Sequence, residues 1–213
     1  MRRGRRSTVA ALAVALLIGM TGCGEQMTDE EVLEQAHDVN FAFKSALADV
    51  QMQVFDGDWK IYAYGAETWE CDNNGYEFRF QRATLPQWKL NEPTRDAAER
   101  IATWLDDNGW EAIKTQGYSG DIANIVIHAA KPDSFVARLT IDISPDPDTY
   151  DIATITADST CQPVDIDLMR DLRNPAGIEV DDLEKVPSTE HPTAKPSFGY
   201  TPDGKRRFWD DAD

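Results

Sequence analysis

Residues 28–162 predict an α+β domain: an antiparallel sheet of five to six strands with two helices packed on one of its faces. Three observations carry that prediction. Two stretches repeat apolar residues at helical spacing, several others alternate with period two, and strong turn sequences separate the alternating runs. Their order is helix, two strands, helix, then three or four strands. Such an order segregates the helices to one face of an antiparallel sheet.

The first helix is announced by Thr28-Asp29-Glu30-Glu31. This is a capping box, with Thr28 as N-cap, Glu31 reaching back, and Met27 and Val32 placed as a hydrophobic staple. Val32, Ala36, Val39, Phe43, Ala46, Leu47 and Val50 then make one apolar stripe, which carries the helix to about Met52. Turn chemistry at Phe55-Asp56-Gly57-Asp58 ends it. Residues 59–71 and 76–83 form a hairpin across Asp72-Asn73-Asn74-Gly75. In its second strand Tyr76, Phe78 and Phe80 alternate with Glu77, Arg79 and Gln81, so one face is buried and the other wet. Thr94 caps the second helix, whose inward residues are Ala97, Ala98, Ile101 and Leu105 and whose C-cap is Gly109. Strands follow at 122–130, 135–143 and 150–157, with a short one at 110–115. The turns Lys131-Pro132-Asp133-Ser134 and Ser144-Pro145-Asp146-Pro147-Asp148 pair them as a meander.

The texture changes at Pro163. The last 51 residues hold six of the eleven prolines and 12 acids against 7 bases, and they read as an extended acidic tail. Residues 165–173 and 178–186 carry weak helical signals, and 187–197 reads as linker. Near the end, Pro202-Asp203-Gly204 between aromatic runs suggests a hairpin. Two readings stand there: a hairpin docked on the domain, or an aromatic-basic peptide of Tyr200, Arg206, Arg207, Phe208 and Trp209 that engages a partner.

The amino terminus speaks of address. Arg2, Arg3, Arg5 and Arg6 precede an unbroken apolar run, 10–20, too short to span a bilayer as a helix. The run closes on Thr21-Gly22-Cys23. The segment 1–22 resembles a lipoprotein signal peptide, and its end resembles the lipobox of bacterial lipoproteins. That resemblance implies acylation of Cys23, with fatty chains such as palmitate, and a mature chain tethered to the outer face of the cytoplasmic membrane. Two or more acyl chains anchor stably, where one would be marginal. Residues 23–27 then form a short tether. Its four residues after Cys23 reach at most ~14 Å, which holds the folded part close to the bilayer.

Charge excludes one class of partner. The chain carries a formal −17, and removing residues 1–22 leaves 191 residues at −21, with 17 basic against 38 acidic side chains. Nucleic-acid binding requires a basic footprint, and no basic stripe exists. High acidity also keeps crowded surface molecules soluble and apart. After Cys23 only Cys71 and Cys161 remain. In an exported chain two cysteines most simply form one disulfide. A pair of reduced thiols serving a metal or redox role is the alternative, without a Cys-x-x-Cys or a histidine at ligand spacing to support it.

Catalytic signals are sparse. His37, His128 and His191 fall on a helix, a strand and the linker, each reading as a surface histidine. No nucleophile elbow, zinc-protease motif or phosphate loop occurs. Asp146, Asp148 and Asp151 are the best calcium candidate, but their spacing is not that of an EF-hand, and a solvated turn explains them. Trp59, Trp69, Trp88, Trp104 and Trp110 crowd into about fifty residues. Core packing is the first reading; an aromatic groove formed by Trp59, Trp69, Trp88 and Trp110 is the second.

Cys71, the helix ending at Gly109 and the closing Ser159-Thr160-Cys161 together resemble the small actinobacterial cell-envelope lipoproteins related to mycobacterial LppA. The likeness spans about residues 23–162. It implies an envelope location and a compact α+β domain, and it brings no catalytic residues. The resulting expectation is a non-enzymatic binding or scaffold module in the cell envelope, without cofactor or metal. A carrier or sensor of a small hydrophobic ligand held between sheet and helices is the alternative.

Overall fold

The computed structural model describes residues 27–119 and 123–209. Cys23, the signal segment and the predicted strand start at residue 122 lie outside them. Over the described residues the architecture is α+β, with a seven-stranded antiparallel sheet, three α-helices and a separate two-stranded ribbon. Helix α1 spans Asp29–Val54. Thr28 caps it as the sequence predicts: its hydroxyl accepts from Glu31 N, and Glu31 accepts from Thr28 N at 2.8 Å. Strands β1 (Trp59–Glu70) and β2 (Tyr76–Thr84) form the expected hairpin. Helix α2 is Thr94–Asp107, and β3 to β6 run Glu111–Gly117, Ile125–Lys131, Val136–Ser144 and Ile152–Ser159.

The sheet order is β3-β4-β5-β6-β2-β1, closed at the edge by β7 (Thr189–Glu190). The meander β3–β6 thus joins the first hairpin through the β6–β2 pairing. On the helix-covered face, Ile127, Ile141 and Ile155 lie side by side in register and are fully buried. Phe43, Leu47, Ile101 and Leu105 from α1 and α2 close over them. The opposite face is polar, with His128 paired to Thr140 in register and Arg138 bonded to Asp158. Period-two alternation therefore predicts the correct faces.

Cys71 and Cys161 form the disulfide, with Cα atoms 5.9 Å apart across 90 residues of sequence. It ties the residue after β1 to the second residue beyond β6, on either side of β2. Gly75 in the hairpin turn is required there. A Cβ would lie 2.4 Å from the Gln162 carbonyl and 3.1 Å from Cys161 Sγ.

Three expectations are corrected. The main sheet has seven strands, because β7 pairs with β1 through Thr189 and Glu190. The second helix begins at Thr94 with Pro93 as its cap residue, so Thr94 makes no capping bond. The third correction is the largest: residues 163–208 are not an extended tail. They form helix α3 (Ile166–Arg173), a single 3-10 turn at Val180–Asp182, β7, and a ribbon of β8 (Ser197–Tyr200) and β9 (Arg206–Phe208). Ile166, Met169 and Phe198 are buried in the common core, and Phe198 meets Phe78 edge-on at 5.4 Å. A few well-placed anchors dock a segment whose average composition is polar.

Candidate functional site

The most unusual chemistry lies where α1, β1, β2 and the carboxy-terminal segment meet. Strand β2 continues its inward alternation one step past Phe80, so Arg82 points to the covered face, opposite Ile155 in register. It is only 3% exposed. From the neighbouring strand Tyr64 points the same way. On α1, Asn40, Lys44 and Gln51 fall beside the apolar stripe and are buried with it; Lys44 is 6% exposed. Burying a lysine and an arginine costs stability unless partners compensate.

A bulge in β1 makes room for the partners. Its register with β2 slips between Tyr64 and Thr68, and Gly65 sits at φ +87°. The Gly65 carbonyl accepts from Asn40 Nδ2 at 2.5 Å, while a Cβ on Gly65 would lie 3.2 Å from Lys44 Cε and 3.1 Å from the Phe80 ring. Bulges commonly re-aim strand residues beside functional sites. Lys44 Nζ donates to the Ser197 carbonyl at 2.7 Å and lies 3.7 Å above the centre of the Tyr64 ring. Arg82 donates to the carbonyls of Ala63, Gln81 and Tyr64 and stands 3.8 Å from Glu190. The Tyr64 hydroxyl reaches Glu190 at 3.3 Å and the Ser197 hydroxyl at 3.1 Å.

The resulting electrostatics are lopsided. Burial drives the Lys44 ammonium well below its ordinary pKa, and the Arg82 charge pushes the same way against Glu190 and Glu67. Burial also lowers Arg82, to about 10, with Glu190 resisting, so Arg82 stays charged at neutral pH. Burial and then the Glu190 charge raise the Tyr64 phenol, keeping it a neutral donor. Among the described residues Arg82 has one carboxylate, Glu190, within ion-pair distance and Lys44 has none, while Glu67 acts on both from farther away. Beside this pair opens a cleft of about 200 Å³, floored by Lys44, Tyr64, Arg82 and Glu190, walled by apolar Ala48, Phe80, Pro192 and Pro196, and lined as well by polar Ser45, Asp49, Gln51 and His191. Arg82 brings charge, and Lys44 keeps donor capacity beyond the one bond that Ser197 takes, so an acceptor oxygen in the cleft would find both charge and hydrogen-bond capacity.

The residues singled out in the sequence fall elsewhere. Trp59 is fully buried, and Phe55 links it to Trp88, with ring centres about 6 Å from each. Trp69 is 47% exposed near the disulfide end of β1, stacked under Arg79 at 4.4 Å. Trp110 is buried beside the opposite sheet edge, under Lys131. The structure thus gathers Trp59 and Trp88 but not Trp69 or Trp110, and none of the four lines the cleft. The terminal aromatic-basic residues fold back on the chain. Trp209 stacks on Phe41 at 3.9 Å and on His37 at 4.5 Å, and Arg206 binds Glu184 through its backbone N–H and lies over Phe208. Tyr200 pairs with Arg206 across the ribbon, and Arg207 borders a small hollow beside His37.

Asp146 accepts from Asp148 N, Thr149 N and the Thr149 hydroxyl, as a turn-forming aspartate does. Asp151 is engaged by Leu90 N, Asp146 N and Lys89. No group of metal-ligating side chains occurs among the described residues. His128 touches Thr140, and His191 reaches Asp56 at 3.1 Å from the cleft rim. Comparison with family models, with curated proteins and with solved structures finds no match to this chain. Nor is any described helix long and apolar enough to cross a membrane.

Sequence reading missed Lys44, Arg82 and Glu190. Two signals were available. Arg82 continues the Tyr76, Phe78, Phe80 alternation, and Lys44 follows Asn40 by four residues along the flank of the α1 stripe. Nothing local marks Glu190, whose role depends on β7 pairing with β1.

Proposed function

We propose that this chain is an extracytoplasmic lipoprotein, held to the outer face of the cytoplasmic membrane by acyl chains on Cys23, that acts as a non-enzymatic binding module in the cell envelope. Its ligand site is the cleft floored by Lys44 and Arg82, and its ligand is a small molecule bearing an anionic group. The observation that carries this reading is the burial of two basic side chains, Lys44 and Arg82, with one carboxylate within ion-pair distance among the described residues. A protein of charge −17 that draws two cations inward gains nothing in solubility by doing so. An anion seated between them would supply the missing counter-charge, and charge-assisted bonds are the strong ones. The apolar wall of Ala48, Phe80, Pro192 and Pro196 keeps the carrier alternative in one form, an acid with a small apolar body.

A thermal-shift panel of small carboxylic acids and phosphate esters tests this directly. Some members should raise the melting temperature of the wild-type chain and leave Lys44→Met unmoved. A panel that shifts both proteins equally, or neither, would count against the cleft as the ligand site.

A further inference from the structure

Among the described residues no carboxylate stands within ion-pair distance of Lys44, although its side chain is only 6% exposed. Nζ donates to the Ser197 carbonyl at 2.7 Å and rests 3.7 Å above the centre of the Tyr64 ring. Carbonyl and ring fix the position of the nitrogen, and neither is an ion. Arg82, whose Cζ lies 5.4 Å from the centre of the same ring, brings a second positive charge close by. Burial and a neighbouring cation both favour the uncharged amine, against the more distant carboxylates of Glu190 and Glu67. A neutral amine gives one N–H to Ser197 and keeps a second N–H and a lone pair. Lys44 also lines the cleft of about 200 Å³. A desolvated amine beside another cation, at the floor of a cavity, meets the requirements of a lysine that attacks carbonyl carbon.

We propose that Lys44 captures a small oxo acid reversibly, as an imine between Nζ and the carbonyl carbon of the ligand. This rests on the reading of the cleft as a site for an anionic molecule, and it names the second functional group of that molecule. The Nζ lone pair forms the bond to carbon as the C–O π pair moves onto oxygen. Both amine protons then leave with that oxygen as water, and a C=N bond replaces C=O. Atoms and electrons balance without an oxidant or reductant, and hydrolysis returns the ligand unchanged. Asp49 and Glu190 line the same cleft and weaken its hold on a simple anion; a covalent bond to Lys44 offsets that repulsion. Size points to a short chain. The cleft is smaller than the roughly 300–1,000 Å³ of drug-sized pockets, and Ala48, Phe80 and Pro196 give an aliphatic stub an apolar wall.

The test incubates the intact chain at neutral pH with pyruvate and sodium cyanoborohydride, which reduces an imine to a stable secondary amine. Peptide mass spectrometry then locates the adduct. Lys60, Lys114 and Lys205 are exposed and serve as internal controls. Labelling of Lys44 should exceed theirs by about ten-fold or more, since a pKa one unit lower leaves about ten times more neutral amine. Labelling no greater at Lys44 than at these three would overturn the inference, and that comparison within the wild-type chain depends on no variant folding. Lys44→Met should retain only the background on the exposed lysines. Lactate has the same acid group and no carbonyl, so it separates this inference from the reading beneath it. A rise in melting temperature with lactate and pyruvate alike, without a Lys44 adduct, would leave the anion site standing and remove the imine. An adduct at Lys44 as abundant with propanal as with pyruvate would keep the capturing amine and overturn the oxo acid as its ligand. No adduct and no stabilisation by either acid would remove both readings.

Discussion

Lys44 Nζ donates to the carbonyl of Ser197 at 2.7 Å, joining the middle of the first helix to a residue 153 positions later. That bond makes the carboxy-terminal segment part of the proposed binding site as well as part of the fold. The segment supplies the acceptor for Lys44, the carboxylate beside Arg82 and the proline wall of the cleft.

Phe198→Ala should therefore destabilise the whole domain. Removing a buried phenylalanine from a packed core costs about 3–5 kcal/mol, and Phe198 lies against Phe78 in the shared core. Chemical denaturation should show one transition at lower denaturant. A separate early transition with the main one unmoved would mean that residues 187–208 are an independent appendage.

Lys44→Met should keep or raise stability at neutral pH, since replacing a buried, incompletely paired charge by an apolar group of similar length is often neutral or favourable. The pH dependence follows from burial, which holds the Lys44 pKa below its unfolded value. Between those two values the unfolded chain binds more protons, so wild-type stability rises with pH across that window and levels off near pH ~10.4. The groups facing Lys44 are Arg82, Glu190, Glu67 and Arg206. The wild-type minus Lys44→Met difference isolates the rise, and a flat difference curve up to pH ~10 would contradict it.

The disulfide should be worth about 4–5 kcal/mol, from the loop-closure entropy of a cross-link spanning 90 residues. Paired Cys71→Ser and Cys161→Ser substitutions should lower stability by roughly that amount. They should preserve the far-ultraviolet circular dichroism spectrum, because the seven-stranded sheet is hydrogen-bonded independently of the bridge. Unchanged stability, or a collapsed spectrum, would show that the bridge plays a different part.

Cys23→Ala should release the protein from the membrane fraction into the medium, because it removes the proposed acyl chains that tether it. Continued sedimentation with membranes after a high-salt wash would remove lipidation as the anchor.

Much of the scaffold was legible in the sequence, because its rules are local. The capping box at Thr28, the alternation in β2 and the Asp-Asn-Asn-Gly turn each fix their element within a few residues. The order of the sheet and the seventh strand were not, since β7 spans two residues and exists only through its pairing with Trp59 and Lys60. Tail composition misled for a physical reason. Phe198, Ile166 and Met169 carry the docking, and three anchors barely move an average over 51 residues. The cationic floor was hidden more deeply. Lys44 and Arg82 read as surface residues until Glu190 and Ser197 arrive from the far end of the chain to receive them.

Native mass spectrometry of the intact chain, incubated with a cell-envelope extract, tests the proposed anion-binding floor most directly. The Lys44–Arg82 cleft predicts a discrete bound acid on the wild-type protein and a bare mass for Lys44→Met. The same bound species on both proteins, or a bare mass on both, would contradict it.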